Sequence, residues 1–122
     1  MQAGKKKLMS DAQIEEAARQ FAVLSEPSRL KLLRALMSKA MTVSELTAAT
    51  EMKQGNVSKH LGMLLNTRFV AKEKEGNFAR YFIADPKLFA LCELMCGRME
   101  REARQRLARL SGSALSHALK PK

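Results

Sequence analysis

The stretch from Thr42 to Asn66 constrains the fold more than any other. It opens on Thr42, Val43, Ser44 and Glu45, a T-x-x-E capping box, which starts a helix. That helix carries Val43, Leu46 and Ala49 or Thr50 on its apolar stripe. A short break follows at Glu51, Met52 and Lys53. Then comes QGNVSKHLGMLLN, Gln54 to Asn66. Here Val57, Leu61 and Leu64 fall at i, i+4 and i+7, one stripe of a second helix. Gly55, Asn56, Lys59, Gly62 and Met63 point roughly the other way. Lys53 is the expected N-cap of this second helix, and a poor one.

That outward face is unusual for a helix that only meets water. It holds small and hydrogen-bonding side chains and a single charge. A helix entering the DNA major groove needs short donors and acceptors, and a backbone that comes close. The bland alternative is an ordinary amphipathic helix. The spacing of the two helices, three or four residues apart, is that of a helix-turn-helix with the second helix as reader. The next segment of the chain strengthens that reading. Residues 69–74 read as a strand, Glu75, Gly76 and Asn77 as a turn, and residues 79–83 as a returning strand. A hairpin in that place is a wing. Its tip, Gly76 and Asn77, would lie beside DNA, with Arg80 able to reach a phosphate or the minor groove.

The flanks supply the rest of the core. Ser10 or Asp11 can cap a first helix with Ile14, Ala17, Ala18 and Phe21 on its stripe, running to about Leu24. Pro27 suits the first turn of a second helix, where its missing N–H costs nothing. Leu30, Leu32, Leu33, Leu36 and Met37 make that helix apolar nearly all round, so it is expected at the centre of the core. After the wing, Asp85 and Pro86 are a good cap and first residue for a last helix. It is expected to stop near Gly112. Leu88, Cys92, Met95 and Met99 recur on it as a stripe of coiled-coil type, with Leu91 beside them. One domain this small already fills its core, so that stripe is expected to pair with a second copy.

The chain of 122 residues suits one domain. The expected layout is a disordered basic arm over 1–9, a winged helix-turn-helix domain for DNA binding and dimerisation over 10–110, and a flexible tail over 111–122. The fold class is α+β and mainly helical, with about five helices and a two-stranded β wing. The homodimer would form through the C-terminal helix, with help from the first. No apolar run reaches the 18 or so residues that span a membrane, and Lys5, Lys6 and Lys7 are not followed by a secretory apolar core. A cytoplasmic protein is therefore expected. The net charge of +10 favours a polyanionic partner. Aromatic content of 5% without Trp argues against single-stranded nucleic acid, which needs stacking platforms.

The runs LSEPSRLKLLRAL (24–36), TVSELTAAT (42–50), QGNVSKHLGML (54–64) and EGNFARYFI (75–83), in that order and spacing, resemble the ArsR/SmtB family of bacterial winged-helix repressors. The resemblance covers residues 12–110. It implies a homodimeric, sequence-specific repressor that binds an inverted-repeat operator in double-stranded DNA and releases it when an inducer binds. Carried over residue by residue, the family's DNA contacts fall on Gln54, Gly55, Asn56, Ser58, Lys59 and His60, and the wing adds Asn77 and Arg80. At Gly55 only the backbone can make a contact. For His60 two readings stand: a phosphate or base contact, or a side chain packed at the helix edge. The dimer interface falls on Leu88, Leu91, Cys92, Met95 and Met99. A winged-helix protein-interaction module without DNA readout is the alternative function.

No catalytic constellation is present, so an enzyme is not expected, nor is a required cofactor or a confident metal site. His117 sits in the tail and is expected to be solvated and idle. Cys92 and Cys96 stand at i and i+4, so their sulfurs share one helix face. Two thiolates can begin a site for a soft metal, arsenite or a redox inducer, whereas zinc wants four ligands. Equally, both can be small buried hydrophobes. The family's CxC thiolate site has no counterpart within residues 42–50. Of its zinc pattern on the last helix only Asp85 survives.

Overall fold

The computed structural model describes residues 8–119, with side chains described through Gly112. Most of the expected basic arm (residues 1–7) and the last three residues lie outside this range, as does the side chain of His117. The described chain divides into two compact units, one up to Asp85 and one from Pro86 onward. No helix among the described residues is long and apolar enough to cross a membrane.

In the first unit, α1 spans Asp11–Leu24 and α2 spans Pro27–Ser38. Both start where the sequence says. Ser10 Oγ accepts from the Gln13 amide at 3.1 Å while Gln13 returns a bond to the Ser10 amide at 2.8 Å, so two orphan donors of the first turn are satisfied reciprocally. The Glu26 carboxylate accepts from the amides of Ser28 and Arg29 at 2.8 and 3.3 Å, with Pro27 in the first turn. Then β1 is the pair Met41–Thr42, α3 spans Val43–Thr50, α4 spans Gln54–Asn66, and β2 (Val70–Glu75) and β3 (Phe78–Ile83) form the wing.

The wing differs from the expected pair of strands. It is a three-stranded antiparallel sheet in the order β1-β3-β2. Met41 pairs with Tyr81 and Thr42 with Arg80. A two-residue strand carries no periodicity to read, which is why the sequence did not disclose it. The hairpin turn is Gly76 and Asn77, with Gly76 at φ 62°. A positive φ at the first loop residue lets a two-residue connection follow the twist of its strands, and glycine adopts it without steric cost.

The stripes of α2, α3 and α4 meet in one core: Leu32, Leu33, Leu36, Leu46, Val57, Leu61 and Leu64, closed by Met41, Val70 and Tyr81. Burying each such aliphatic side chain stabilises by about 1.5–3 kcal/mol. Leu30, expected in the core with them, is exposed, so α2 is amphipathic rather than apolar all round. Two turns of this unit use left-handed backbone without glycine: Glu51, at φ 59° between α3 and α4, and Arg68, at φ 66° after α4.

The second unit is the helix α5, Lys87–Leu119. It does not stop near Gly112. Ala, Leu and Ser residues continue beyond that point, and one glycine inside a helix costs only about 1 kcal/mol. Leu88 is buried, whereas Leu94, Met95, Met99, Leu107 and Leu110 are exposed.

Candidate nucleic-acid interface

α3 is held by the expected capping box: Glu45 accepts from the Thr42 amide at 3.0 Å and the Glu45 amide donates to Thr42 Oγ1 at 3.2 Å. The chain then turns at Glu51, whose amide donates to the Thr47 carbonyl at 2.9 Å. α4 starts at Gln54 with no side-chain cap from Lys53. Because Val57, Leu61 and Leu64 bury one side of α4, the opposite side is presented whole. Gln54, Gly55, Asn56, Ser58, Lys59, Gly62 and Met63 are all exposed. A Cβ built at Gly55 would meet nothing within 4 Å. The fold itself therefore does not need a glycine there, and the bare backbone faces open space.

His60 is not on that face. It is buried, and its Nδ1 accepts from Arg29 Nε at 3.2 Å. On the other side of the ring, His60 Nε2 lies 3.9 Å from Glu26 Oε1. Arg29 is anchored in turn on the Val23 carbonyl at 3.1 Å. Of the two readings of His60, packing at the helix edge is the one its burial supports. The signal was in the spacing: His60 stands three residues after Val57 and four before Leu64, inside the buried arc.

Arg80 also departs from expectation. Its Nε donates to Glu75 at 2.8 Å, and its Nη1 donates to Glu45 at 3.1 Å and to the Ala40 carbonyl at 3.3 Å. The Glu75 carboxylate holds the guanidinium still more firmly charged, with Glu45 adding to it against partial burial. The Thr42 amide holds the Glu45 carboxyl below the usual glutamate range. Burial opposes that, and the Arg80 charge supports it. Arg80 is thus paired within the chain, with 34% of its side chain still exposed. Asn77 remains exposed at the wing tip.

Beside Asn77 the structure adds residues that sequence reading passed over. Phe78 is 66% exposed. It lines one surface hollow with Lys72, Lys74, Asn77 and Ala79, and a second with Thr42, Val43, Ser44, Gln54 and Asn77. Phe78 begins β3, one residue before the expected strand start. Lys72 Nζ lies 5.9 Å from the centroid of the Tyr81 ring across the hairpin. The wing tip and the start of α4 therefore form one continuous exposed surface.

On α5, Cys92 is half-buried and Cys96 exposed, and neither is in a disulfide. Burial pushes the Cys92 thiol up, and neighbouring Cys96 adds to it. Both effects favour the protonated thiol, against the thiolate a metal needs. Among the described residues no group of three or more His, Cys, Asp or Glu side chains could hold a metal ion.

A helix-turn-helix with an exposed second helix, followed at once by a β-hairpin on the same surface, defines a winged helix-turn-helix. The model of the bacterial regulatory protein arsR family matches residues 26–72. The chain is 32% identical over 80 residues to a probable mercury resistance operon repressor of Streptomyces lividans, covering 66% of this chain and 64% of that protein. It is 35% identical over 78 residues to a transcriptional repressor SmtB homolog of Synechocystis, covering 64% and 59%. The chain thus spans somewhat less than two thirds of the length of these two curated relatives. Among solved structures, that of AntR, an antimony-specific transcriptional repressor, superposes with a TM-score of 0.71 at 35% identity, covering 84% of this chain and 92% of that one. A homodimeric winged helix-turn-helix DNA-binding domain from Mycobacterium bovis superposes with a TM-score of 0.67 at 27% identity, covering 83% and 95%. The chain belongs to the arsR family of bacterial regulatory proteins. Its relatives are transcriptional regulators and not enzymes.

Proposed function

We propose that this chain is a dimeric, sequence-specific DNA-binding repressor in which α4 enters the major groove and the wing tip lies along the adjoining backbone. The observation that supports this most is the exposed face of α4. It is small, polar and nearly uncharged in a protein of net charge +10. Gln54, Asn56 and Ser58 can donate to or accept from base edges, Gly55 offers backbone, and Lys59 suits a phosphate. Asn77 is the wing contact. Leu88, expected in the seam, is already buried in the single chain and has little surface left to give it. Two copies joined through Leu91, Cys92, Met95 and Met99 would read an inverted repeat, with half-site centres about 10–10.5 base pairs apart or a multiple of that.

The experiment is a binding titration against the duplex that the full chain enriches from a randomised library, and against unrelated DNA. Gln54→Ala and Asn56→Ala should cost about 1–3 kcal/mol on the enriched duplex and less on unrelated DNA, while Lys59→Ala should weaken both. Equal losses on the two duplexes for Gln54 and Asn56 would refute base readout.

The inducer reading is that a soft metal, a metalloid such as arsenite, or an oxidant acts at Cys92 and Cys96. It draws support from relatives named for mercury and antimony, and the raised Cys92 thiol works against it. Release requires tighter binding of the inducer to the DNA-incompetent arrangement; tenfold weaker operator binding corresponds to a coupling of about 1.4 kcal/mol. The test compares the wild type with the Cys92→Ser, Cys96→Ser double variant on DNA with arsenite, antimonite, mercury or peroxide. A response that survives in the variant excludes these thiols as the sensor.

A further inference from the structure

Arg80 joins three segments that the sequence keeps apart. It lies on β3, its carboxylate partners are Glu75 at the end of β2 and Glu45 in the first turn of α3, and it also donates to the Ala40 carbonyl ahead of β1. Its place along the sheet gives this a consequence. β1 ends where Thr42 pairs with Arg80. Beyond that register the wing continues as two strands only, through Lys74 with Ala79 and Glu75 with Phe78. A two-stranded ribbon is marginally stable by itself. The tip that carries Asn77 and Phe78 is that ribbon, and Arg80 stands at its root.

We propose that Arg80 is a positioning residue, a clamp through which Glu45 and Glu75 fix the wing tip relative to the start of the helix-turn-helix, and not a phosphate contact. Glu45 serves twice, since the carboxylate that caps α3 also receives Arg80. The guanidinium suits the role because it is planar and offers several donors in a rigid fork, whereas a lysine ammonium is a point charge on a flexible stem. The shifts at Glu45 and Arg80 agree with such a network. The inference rests on the DNA-binding function proposed above, and it deepens that function by assigning the wing's orientation to an ion-pair network within the chain rather than to a direct DNA contact.

The test uses the full chain and four variants: Arg80→Lys, Arg80→Gln, Glu45→Gln and Glu75→Gln. Glutamine is accepted at the third helical position of a capping box, so Glu45→Gln keeps the cap of α3 and removes only the charge. Affinity for the enriched duplex is measured across a salt series, and amide exchange of residues 73–80 is followed in the free protein. If Arg80 is the clamp, each variant binds DNA about three- to tenfold more weakly. The two glutamate variants do so although each removes a negative charge near DNA. The salt slope stays that of the wild type, wing-tip exchange speeds up, and the melting temperature stays near wild type.

If Arg80 grips a phosphate, the signs differ. Glu45→Gln and Glu75→Gln then bind more tightly, Arg80→Lys is nearly neutral, and Arg80→Gln lowers the salt slope by about 0.9. That pattern overturns the proposal, as does faster exchange with unchanged affinity. A wild type that binds no duplex would defeat the proposed function instead. The exchange arm then decides the clamp alone, and unchanged exchange in the variants overturns it.

Discussion

Val57, Leu61 and Leu64 of α4 keep 1% or less of their surface open, whereas Met95, Met99, Leu107 and Leu110 of α5 keep 49–66%. Both sets recur at helical spacing, and the sequence alone does not rank one above the other. The difference lies in what faces them. α4 meets α2, α3 and β2 within the same unit, so its stripe is desolvated by neighbours supplied within one short stretch of chain. α5 forms a unit of its own, and most of its apolar residues are open. α1 resembles α5 in this respect: Ile14 and Phe21 are exposed and the helix buries no residue. Amphipathicity therefore reports that a helix wants a partner, and says nothing of which molecule provides it. Exposed apolar surface on this scale marks an interaction face, which fits the proposed pairing of two copies.

The two sets of apolar residues differ most in what truncation costs. Leu61→Ala should destabilise the reader unit by about 2–5 kcal/mol, through lost burial plus a cavity. Tyr81, the one tyrosine of the chain, reports on that unit in a urea titration because it is buried on β3. Met95→Ala should leave the same transition within about 1 kcal/mol, because an open side chain has little burial to lose. A large loss for Met95→Ala at concentrations where the chain is monomeric would erase the distinction.

Next in size is the effect on association. Met95→Glu puts like charges across the proposed seam and should raise the dimer dissociation constant at least about tenfold, equivalent to about 1.4 kcal/mol. Sedimentation at several concentrations reads this directly, and an unchanged dimer would move the seam elsewhere.

Acid should reach the reader unit through Glu45. Its carboxyl is lower in the fold than in the unfolded chain. The stability it contributes is therefore fully present above the ordinary glutamate range, and is lost as pH falls through the lowered value. Glu45→Gln should flatten that acid limb of the Tyr81-monitored transition. A limb of unchanged depth would assign acid sensitivity to other carboxylates. The smallest effect expected is at the turn between α3 and α4. Glu51→Gly removes a left-handed non-glycine residue at φ 59° and should stabilise by less than about 1 kcal/mol, since glycine also gains entropy in the unfolded chain. Any destabilisation would show that Glu51 is held there by contacts worth more than its strain.

What the sequence determined was whatever depends on neighbours three or four residues apart. Ser10 with Gln13 and Thr42 with Glu45 cap their helices as their spacing requires, and Val57, Leu61 and Leu64 bury as a stripe. Gly76 and Asn77 make the turn of the wing. These follow from the 3.6-residue repeat and from backbone groups that must be satisfied locally. The tertiary structure decided the rest. β1 exists only because Met41 and Thr42 find β3 some 40 residues away; two residues have no pattern of their own. Arg80 has the formal look of a free wing cation, and the approach of Glu45 from another element changes its role. His60 was legible in part, since its angle on α4 placed it toward the core, but its partner Arg29 comes from α2. A residue's charge and spacing are properties of the chain, whereas which group lies 3 Å from it depends on how distant segments pack.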